Sequence, residues 1–141
     1  MDKTASENTT DTGPGLFNDL FRKLHSAGWS DKCRVGMCLE VGHANLCPDT
    51  RNDYLAYVDS LDIVVPIIHL HLHENDGDSD THLPIFTGPA GVDPSAVKEL
   101  LERLKERHFS GAIILEQWPE PPSLLDKARE RLLDMLAGSA S

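Results

Sequence analysis

The sequence predicts an α/β protein built on a parallel sheet, and two observations lead to this prediction. First, strand candidates alternate with helical patterns of roughly 10 to 15 residues, which is typical of β–α–β units. Second, each strand candidate carries a glutamate or histidine near its carboxyl end; the segments are VGMCLE, IIHLHLHE and AIILE. Because functional groups collect at the carboxyl ends of strands in parallel α/β folds, we expect the site at this edge of the sheet.

The elements in the first half of the chain follow from the spacing of apolar residues. Residues 1–13 are polar and are expected to form a flexible segment before one domain that spans residues 14–137. The first helix ends at Gly28, and its apolar residues recur at helical spacing: Leu16, Phe17, Leu20, Phe21 and Leu24. Residues 34–40 form the first strand candidate. A second amphipathic helix is marked by Tyr54, Leu55, Val58 and Leu61.

The second half of the chain continues the alternation. Residues 63–72 form a long, largely β-branched strand candidate, and a loop rich in Gly, Asp and Pro spans residues 74–93. A helix then begins at Pro94, and its apolar residues are Val97, Leu100, Leu101 and Leu104. Residues 112–115 form the last strand candidate, and a final helix follows. This order of elements is that of consecutive β/α units.

The overall composition restricts the partners of the protein. The 141 residues include 13 Lys and Arg against 23 Asp and Glu, which gives a formal net charge of −10. An acidic surface repels phosphate backbones, so nucleic acid is not an expected partner, whereas a small phosphorylated substrate held by a few local cations is compatible with it. No apolar run approaches the roughly 20 residues of a membrane span, and the N-terminus lacks the apolar core of a signal peptide. We therefore expect a cytoplasmic protein without a membrane partner.

The cysteines do not predict a cross-linked fold. Cys33, Cys38 and Cys47 are odd in number, and none follows the CxxC spacing of a zinc knuckle. We expect three reduced thiols with a structural or incidental role.

Alternation along each strand brings chemical groups to one face of the sheet, because side chains two residues apart point to the same side. Val35, Met37, Leu39, Ile68, Leu70, Leu72, Ile113 and Leu115 are predicted to face the helices. The residues predicted on the opposite, inner face are Gly36, Cys38, Glu40, His69, His71, His73, Ala112, Ile114 and Glu116. All three strands thus deliver a carboxylate or an imidazole to the same side of the sheet, at the same end.

Carboxylates and imidazoles that converge on one point suit a divalent metal ion. Mixed nitrogen and oxygen ligands favour zinc, manganese, cobalt or iron(II) over calcium. Taken singly, a glutamate at a strand end is more often solvated, and an inward histidine is more often a core residue. We expect His69 and His73 to have such a structural or supporting role. Agreement among three strands is hard to reach by chance, so the metal interpretation is favoured.

The loop after the histidine-rich strand adds further candidates. Asp80 and His82 are separated by one residue in this acidic stretch. For Asp76 and Asp78 we favour the simpler interpretation of solvated acidic side chains. For Asp80 and His82 the sequence alone leaves both interpretations open.

Four segments of the chain resemble the xylose-isomerase-like family in their order and spacing. They are SENT at residues 6–9, CLEVGHAN at residues 38–45, IHLHLHENDGDSDTHLPIFTGPAGVD at residues 68–93 and IILE at residues 113–116. The resemblance covers about residues 7–136 and implies a partial (β/α)8 TIM barrel, namely about its last four β/α units. This fold occurs in sugar isomerases, sugar epimerases and the related apurinic endonucleases.

The resemblance also implies a set of site residues. Glu40, His71 and Glu116 correspond to the ligands of the main metal ion, and Glu7 corresponds to a fourth ligand that bridges in dinuclear members. His43 corresponds to a histidine that contacts the substrate or a second metal ion. Further ligands are implied where the endonuclease branch holds an additional zinc ion: Asp80 and His82.

The sequence departs from the family pattern in three respects. Glu40 and Glu74 stand where the family usually has aspartate, which lengthens each side chain by one methylene and is expected to shift the coordination at Glu40. The first four β/α units have no counterpart in the chain. We therefore expect a truncated C-terminal half whose partner is either a second copy, as a homodimer, or a separate N-terminal half-barrel.

The function implied by the resemblance is that of a metal-dependent sugar or sugar phosphate isomerase or epimerase in carbohydrate metabolism. The divalent ion would polarise the oxygens of the substrate, Glu7 and Glu116 would move the proton, and His43 would orient a hydroxyl group. One alternative is a phosphodiesterase of the apurinic endonuclease IV type, against which the charge of −10 counts. A second alternative is a catalytically inactive half-barrel that requires a partner chain.

Overall fold

A single parallel sheet organises the chain. The computed structural model describes residues 4–29 and 35–138, and its strands lie in the order β1-β2-β3-β4 with every neighbouring pair parallel. The strands are β1 Thr4–Glu7, β2 Val35–Glu40, β3 Ile67–Leu72 and β4 Ala112–Leu115. Sequence order and spatial order coincide, as predicted for consecutive β/α units. Cys33 and residue 34, the predicted start of β2, lie outside the described residues.

One or more helices follow each strand. They are α1 Pro14–Ser26, α2 Val41–Leu46, α3 Tyr54–Ser60, α4 Pro89–Val92, α5 Ser95–Glu106 and α6 Ser123–Gly138, with a 3-10 turn at Pro48–Thr50. The four longer predicted helices are present as α1, α3, α5 and α6. The short helices α2 and α4, which lie inside predicted loops, were not anticipated. No helix of the described part is long and apolar enough to cross a membrane.

The core lies between one face of the sheet and the helices. Met37, Leu39, Leu70 and Leu72 are fully buried there. They pack against apolar residues of the helices, which include Phe17, Phe21, Tyr57, Val58, Val97, Leu100, Leu101, Leu104 and Leu132. The predicted outward direction of these four strand residues is confirmed. The opposite face is less covered, because the side chains of Ala112 and Ile114 in β4 are exposed.

An irregularity in β3 changes the predicted alternation at one point. Met37 pairs with Ile67 and Cys38 pairs with His69, so Ile68 is an extra residue between two paired positions. Ile67 belongs to the buried core, whereas the side chain of Ile68 lies 2.5 Å from where a Cβ on Gly36 would stand. The prediction that Ile68 packs against the helices was therefore wrong. A bulge inserts one residue and reverses the parity, which alternation alone cannot reveal.

The N-terminal residues also differ from the prediction. Residues 1–13 were expected to be flexible and without a strand, but Thr4–Glu7 forms β1 and pairs with β2 from Thr4 with Val35 to Glu7 with Cys38. The polar sequence TASE carries no apolar pattern, so its pairing depends on the backbone groups of β2 and not on burial. This strand places Glu7 and Asn8 beside the end of β2.

Candidate metal centre

Three carboxylates surround one imidazole nitrogen at the carboxyl end of the sheet, which gives four candidate ligands. The Nδ1 atom of His71 lies 3.2 Å from Oε2 of Glu116, 3.5 Å from Oε2 of Glu40 and 3.6 Å from Oε2 of Glu7. Each of the four residues lies at the carboxyl end of a different strand or directly follows it, so the parallel topology brings them together. The predicted convergence of Glu40, His71 and Glu116 is confirmed, and Glu7 joins them.

The chemistry of these atoms fits a divalent cation. Oε2 of Glu40 and Nδ1 of His71 are both buried and have no hydrogen-bond partner among the described residues. Around a tetrahedral ion with bonds of about 2.0–2.2 Å, neighbouring ligand atoms lie about 3.3–3.6 Å apart. The separations from His71 are close to this range, and those to Glu40 and Glu7 are longer than ordinary hydrogen bonds. The donor set therefore suits a small divalent ion that takes nitrogen and oxygen ligands.

The side chain of Asn8, which directly follows Glu7, holds the backbone of Glu40 in place. Both residues involved, Glu40 and Asn8, are fully buried. The side-chain amide of Asn8 donates to the carbonyl oxygen of Glu40 at 3.1 Å, and its oxygen accepts from the Glu40 N–H at 2.8 Å. Oε1 of Glu40 accepts from the N–H of Gly42 at 3.1 Å, which leaves Oε2 directed at His71. The longer side chain at this position thus reaches the cluster.

Glu40 and Glu116 influence each other's protonation. Burial raises the pKa of Glu40 to about 8, and the nearby carboxylate of Glu116 adds to the effect. The interaction with Glu40 lowers the pKa of Glu116. At neutral pH the proton therefore resides on Glu40, and Glu116 carries the negative charge. A bound cation would take the place of this proton.

A second cluster is formed by His43, Asp80 and His82. Nδ1 of His43 lies 2.8 Å from the carbonyl oxygen of Asn8, and Nδ1 of His82 lies 2.9 Å from the carbonyl oxygen of Glu116. Because a carbonyl oxygen can only accept, both Nδ1 atoms carry a proton. Both Nε2 atoms then face the same Oδ2 atom of Asp80, at 3.0 Å for His43 and 3.3 Å for His82.

This arrangement requires a positive charge between the rings and Asp80. Burial opposes the charged form of His43, but hydrogen bonds to the Asn8 carbonyl and to Asp80 outweigh it and raise the pKa of His43. Although burial also acts against the charged form of Asp80, the hydrogen bond from His43 lowers the pKa of that carboxyl. A proton on Nε2 of His43 satisfies the contact between His43 and Asp80. A cation bound by all three residues would also satisfy the contact between His82 and Asp80. Glu7 lies between the clusters, with Oε1 3.8 Å from Nδ1 of His43.

His73 is buried and contacts a residue of each cluster. Its ring stacks on that of His82 with centroids 3.8 Å apart, and its Nε2 atom lies 2.7 Å from Oε1 of Glu40, at an angle that does not make a hydrogen bond. Burial lowers the pKa of His73, so the ring is neutral at neutral pH. Gly42 allows this packing, since a Cβ there would lie 2.0 Å from the ring.

Other candidates have simpler environments. Asp76 and Asp78 are exposed, as expected for solvated residues. Glu74 is buried and accepts hydrogen bonds from the backbone of Gly88 and Ala90, so it holds the loop that precedes α5. His69 lies on the inner face but belongs to none of the clusters within the described residues. Asn8 was missed, although it directly follows Glu7 in the segment SENT.

Comparisons with known proteins identify the fold family of the chain. The family model described as xylose isomerase-like TIM barrel matches residues 4–135. The chain belongs to the xylose isomerase-like TIM barrel family. A solved structure, that of a D-tagatose 3-epimerase-like protein, superposes with a TM-score of 0.64 at 25% sequence identity. A comparison with curated proteins finds no match.

The share of each chain that the structural match covers shows how much of the barrel is present. It covers 96% of this chain but 47% of the epimerase-like chain, so this chain spans about half the length of that protein. The four parallel strands and their helices are thus a partial (β/α) barrel, as the sequence predicted.

Proposed function

We propose that the chain provides the metal-binding half of an isomerase or epimerase that acts on a sugar or sugar phosphate. The family and the epimerase-like structural neighbour support this reaction class. The observation that carries the proposal is the position of His71, whose unpartnered Nδ1 atom faces carboxylates from three other strand ends. Structural ion pairs seldom leave a buried nitrogen and a buried carboxylate oxygen without partners.

In this proposal Glu40, His71 and Glu116 hold a divalent ion, with Glu7 as a fourth ligand. Zinc, manganese, cobalt and iron(II) all suit these donors. When bound, the ion supplies Lewis acidity that polarises the carbonyl and hydroxyl oxygens of the substrate. Asn8 keeps Glu40 in place through its two backbone hydrogen bonds.

Glu116 and Glu7, the two carboxylates of the cluster that are not fully buried, transfer the proton in the proposed reaction. Glu116 has a lowered pKa and a partly exposed side chain, so at neutral pH it is an available base. It removes a proton from the carbon next to the carbonyl. The electron pair of the C–H bond forms a C=C bond while the π electrons of the carbonyl move to its oxygen, which gives an enediolate. Glu7, whose side chain is also partly exposed, lies on another side of His71. It takes up a proton from solvent and passes it to carbon, and the enediolate collapses to the carbonyl of the product. His43 orients a substrate hydroxyl.

A second candidate function has one specific observation in its favour. The second cluster, composed of His43, Asp80 and His82, offers three ligand atoms that lie close together. Such a cluster next to the first would suit a phosphodiesterase that activates water between metal ions, as in the endonuclease branch. The net charge of −10 acts against binding of a nucleic acid. Cleavage of an abasic-site oligonucleotide by the metal-loaded protein would favour this candidate.

Proton exchange tests the isomerase proposal directly. The metal-loaded chain is incubated with a panel of ketoses in deuterated water, and deuterium at the carbon next to the carbonyl is followed by NMR. We expect exchange with the wild type and its loss in Glu116→Gln. The matched control is Glu130→Gln, which removes an equally charged but exposed carboxylate on α6. A chain that binds metal without exchanging any substrate would support the third candidate, an inactive half-barrel that requires a partner.

A further inference from the structure

A cavity of about 250 Å³ lies behind the carboxyl end of β3, on the helix side of the sheet. Its walls come from α2, α4, the starts of α3 and α5, and the loop after β3. All of these elements lie between β2 and β4 in sequence, so consecutive parts of the described chain enclose the cavity. None of the candidate metal ligands lines it, and the cavity is therefore separate from both clusters.

The charged part of the lining is negative. Asp76 and Asp93 are exposed there, whereas the carboxylate of Glu74 is buried. The N–H of Ser95 donates to Oδ1 of Asp93 at 3.0 Å and lowers the pKa of this carboxyl, so Asp93 carries its charge at neutral pH. No lysine or arginine of the described residues lines the cavity. The lining therefore attracts a cation and repels an anion.

Several polar atoms of the lining have no hydrogen-bond partner among the described residues. Nδ2 of Asn45 donates to Oδ1 of Asn75 at 2.8 Å, which leaves Oδ1 of Asn45 available as an acceptor. The hydroxyl group of Tyr54 also lacks a partner there, and burial raises the pKa of Tyr54, so this group stays protonated. The side chain of His73 is 1% exposed, and its Nδ1 atom is unpartnered as well. Buried polar atoms without partners are rare in folded proteins, so these atoms indicate a ligand.

The positions of the acids favour an organic cation over a metal ion. Glu74, Asp76 and Asp93 do not form a group whose ligand atoms lie within 4.8 Å of one another in the described residues. A metal ion requires ligands around one point, whereas these carboxylates are spread over the lining. Apolar side chains, among them Leu72 and Ile85, complete the walls and suit methylene groups. The volume is below the roughly 300–1,000 Å³ of sites for drug-sized ligands, so the ligand is small.

We propose that this cavity binds a short aliphatic amine. Its ammonium groups pair with the carboxylates and with the unpartnered oxygen atoms, and its methylene groups cover the apolar part of the walls. The bound amine packs beside His73, whose Nε2 atom lies 2.7 Å from Oε1 of Glu40 and whose ring stacks on that of His82. The cavity is thus adjacent to both clusters but shares no candidate metal ligand with them. The inference therefore does not depend on the proposed function.

Two probes of similar length test the preference for a cation. Putrescine carries an ammonium group at each end of its alkyl chain, and 1,4-butanediol carries hydroxyl groups in their place. Binding to the full chain is followed by two-dimensional NMR of the backbone amides at about 0.15 M salt, which screens diffuse attraction to the acidic surface. We expect saturable binding of putrescine, with shifts centred on the amides of Gly77 and Ala90. The diol should bind at least about tenfold more weakly.

Substitutions in the lining localise the binding. Asp76→Asn and Asp93→Asn should each weaken putrescine binding about three- to fivefold, because each removes one partly solvated charge. The matched control is Asp78→Asn, which removes the same charge from the same loop but outside the lining, and its effect should stay below about twofold. Ala96→Leu should fill the cavity and abolish saturable binding, whereas Ala137→Leu adds the same side chain at an exposed position of α6 and should have no effect. Circular dichroism verifies that every variant is folded.

Four results would overturn the inference. They are no saturable binding of putrescine, equal affinity for putrescine and the diol, unchanged binding in a folded Ala96→Leu variant, and displacement of putrescine by calcium that Asp76→Asn and Asp93→Asn abolish. The last result would show a metal site instead. A zinc titration of the same variants reports separately on the proposed function, since none of the substituted residues is a candidate metal ligand. Normal zinc binding by a chain that binds no putrescine would refute this inference alone.

Discussion

The variant Asn8→Ala tests whether Asn8 supports the metal centre in addition to stabilising the fold. Asn8→Ala removes two buried hydrogen bonds and leaves the N–H and the carbonyl of Glu40 without these partners. Each unsatisfied buried group costs about 1–3 kcal/mol, so we expect a loss of about 2–5 kcal/mol in the free energy of unfolding. The backbone of Glu40 also loses its restraint, so metal affinity should fall about 10- to 100-fold, as for other supporting contacts.

Asn18 provides a closely matched control. Its side chain makes the same pair of contacts with backbone groups, donating to Ser60 at 2.8 Å and accepting from Asp62 at 2.7 Å, but it lies far from the carboxyl end of the sheet. Urea denaturation of the metal-free proteins gives the stability, and calorimetric titration with a divalent ion gives the affinity. We expect both variants to lose stability but only Asn8→Ala to lose affinity. Equal affinities in the two variants would refute the supporting role of Asn8.

Two further predictions concern the pH dependence of metal binding and the packing at Gly42. The affinity for a divalent ion should rise with pH up to about 8, because the ion must displace the proton of Glu40, whose pKa is raised to about 8. Calorimetry in buffers across this range measures the affinity, and a flat profile would contradict the prediction. Gly42→Ala should destabilise the fold by about 1–3 kcal/mol, since its Cβ would overlap the ring of His73. Gly15→Ala, with nothing within 4 Å, should be neutral or slightly stabilising in thermal denaturation.

The sequence was sufficient to predict the fold and the centre of the site because both depend on simple periodicities. Parallel strands present their carboxyl ends at one edge, and a period of two fixes which side chains share a face. These rules placed Glu40, His71 and Glu116 together, and the structure confirms this convergence. Their roles as metal ligands stay predictions.

The features that were missed depend on contacts between distant residues. β1 has a polar sequence, so only its pairing with β2 makes it a strand. The extra residue Ile68 is revealed by the register between β2 and β3 and not by the composition of either strand. Asn8 supports Glu40 across 32 residues of sequence, and the protonation of His43 follows from a carbonyl 35 residues away. No local pattern encodes such partners.

The measurement that tests the central claim most directly is a calorimetric titration of the chain with zinc, compared between His71→Ala and His69→Ala. Both histidines belong to β3, and both have an unpartnered Nδ1 atom, but only His71 faces the carboxylates of Glu7, Glu40 and Glu116. We predict that the wild type and His69→Ala bind a zinc ion with equal affinity and that His71→Ala loses at least about 100-fold in affinity for it. A wild type that binds no zinc, or a His71→Ala variant that binds it normally, would contradict the assignment of the metal centre.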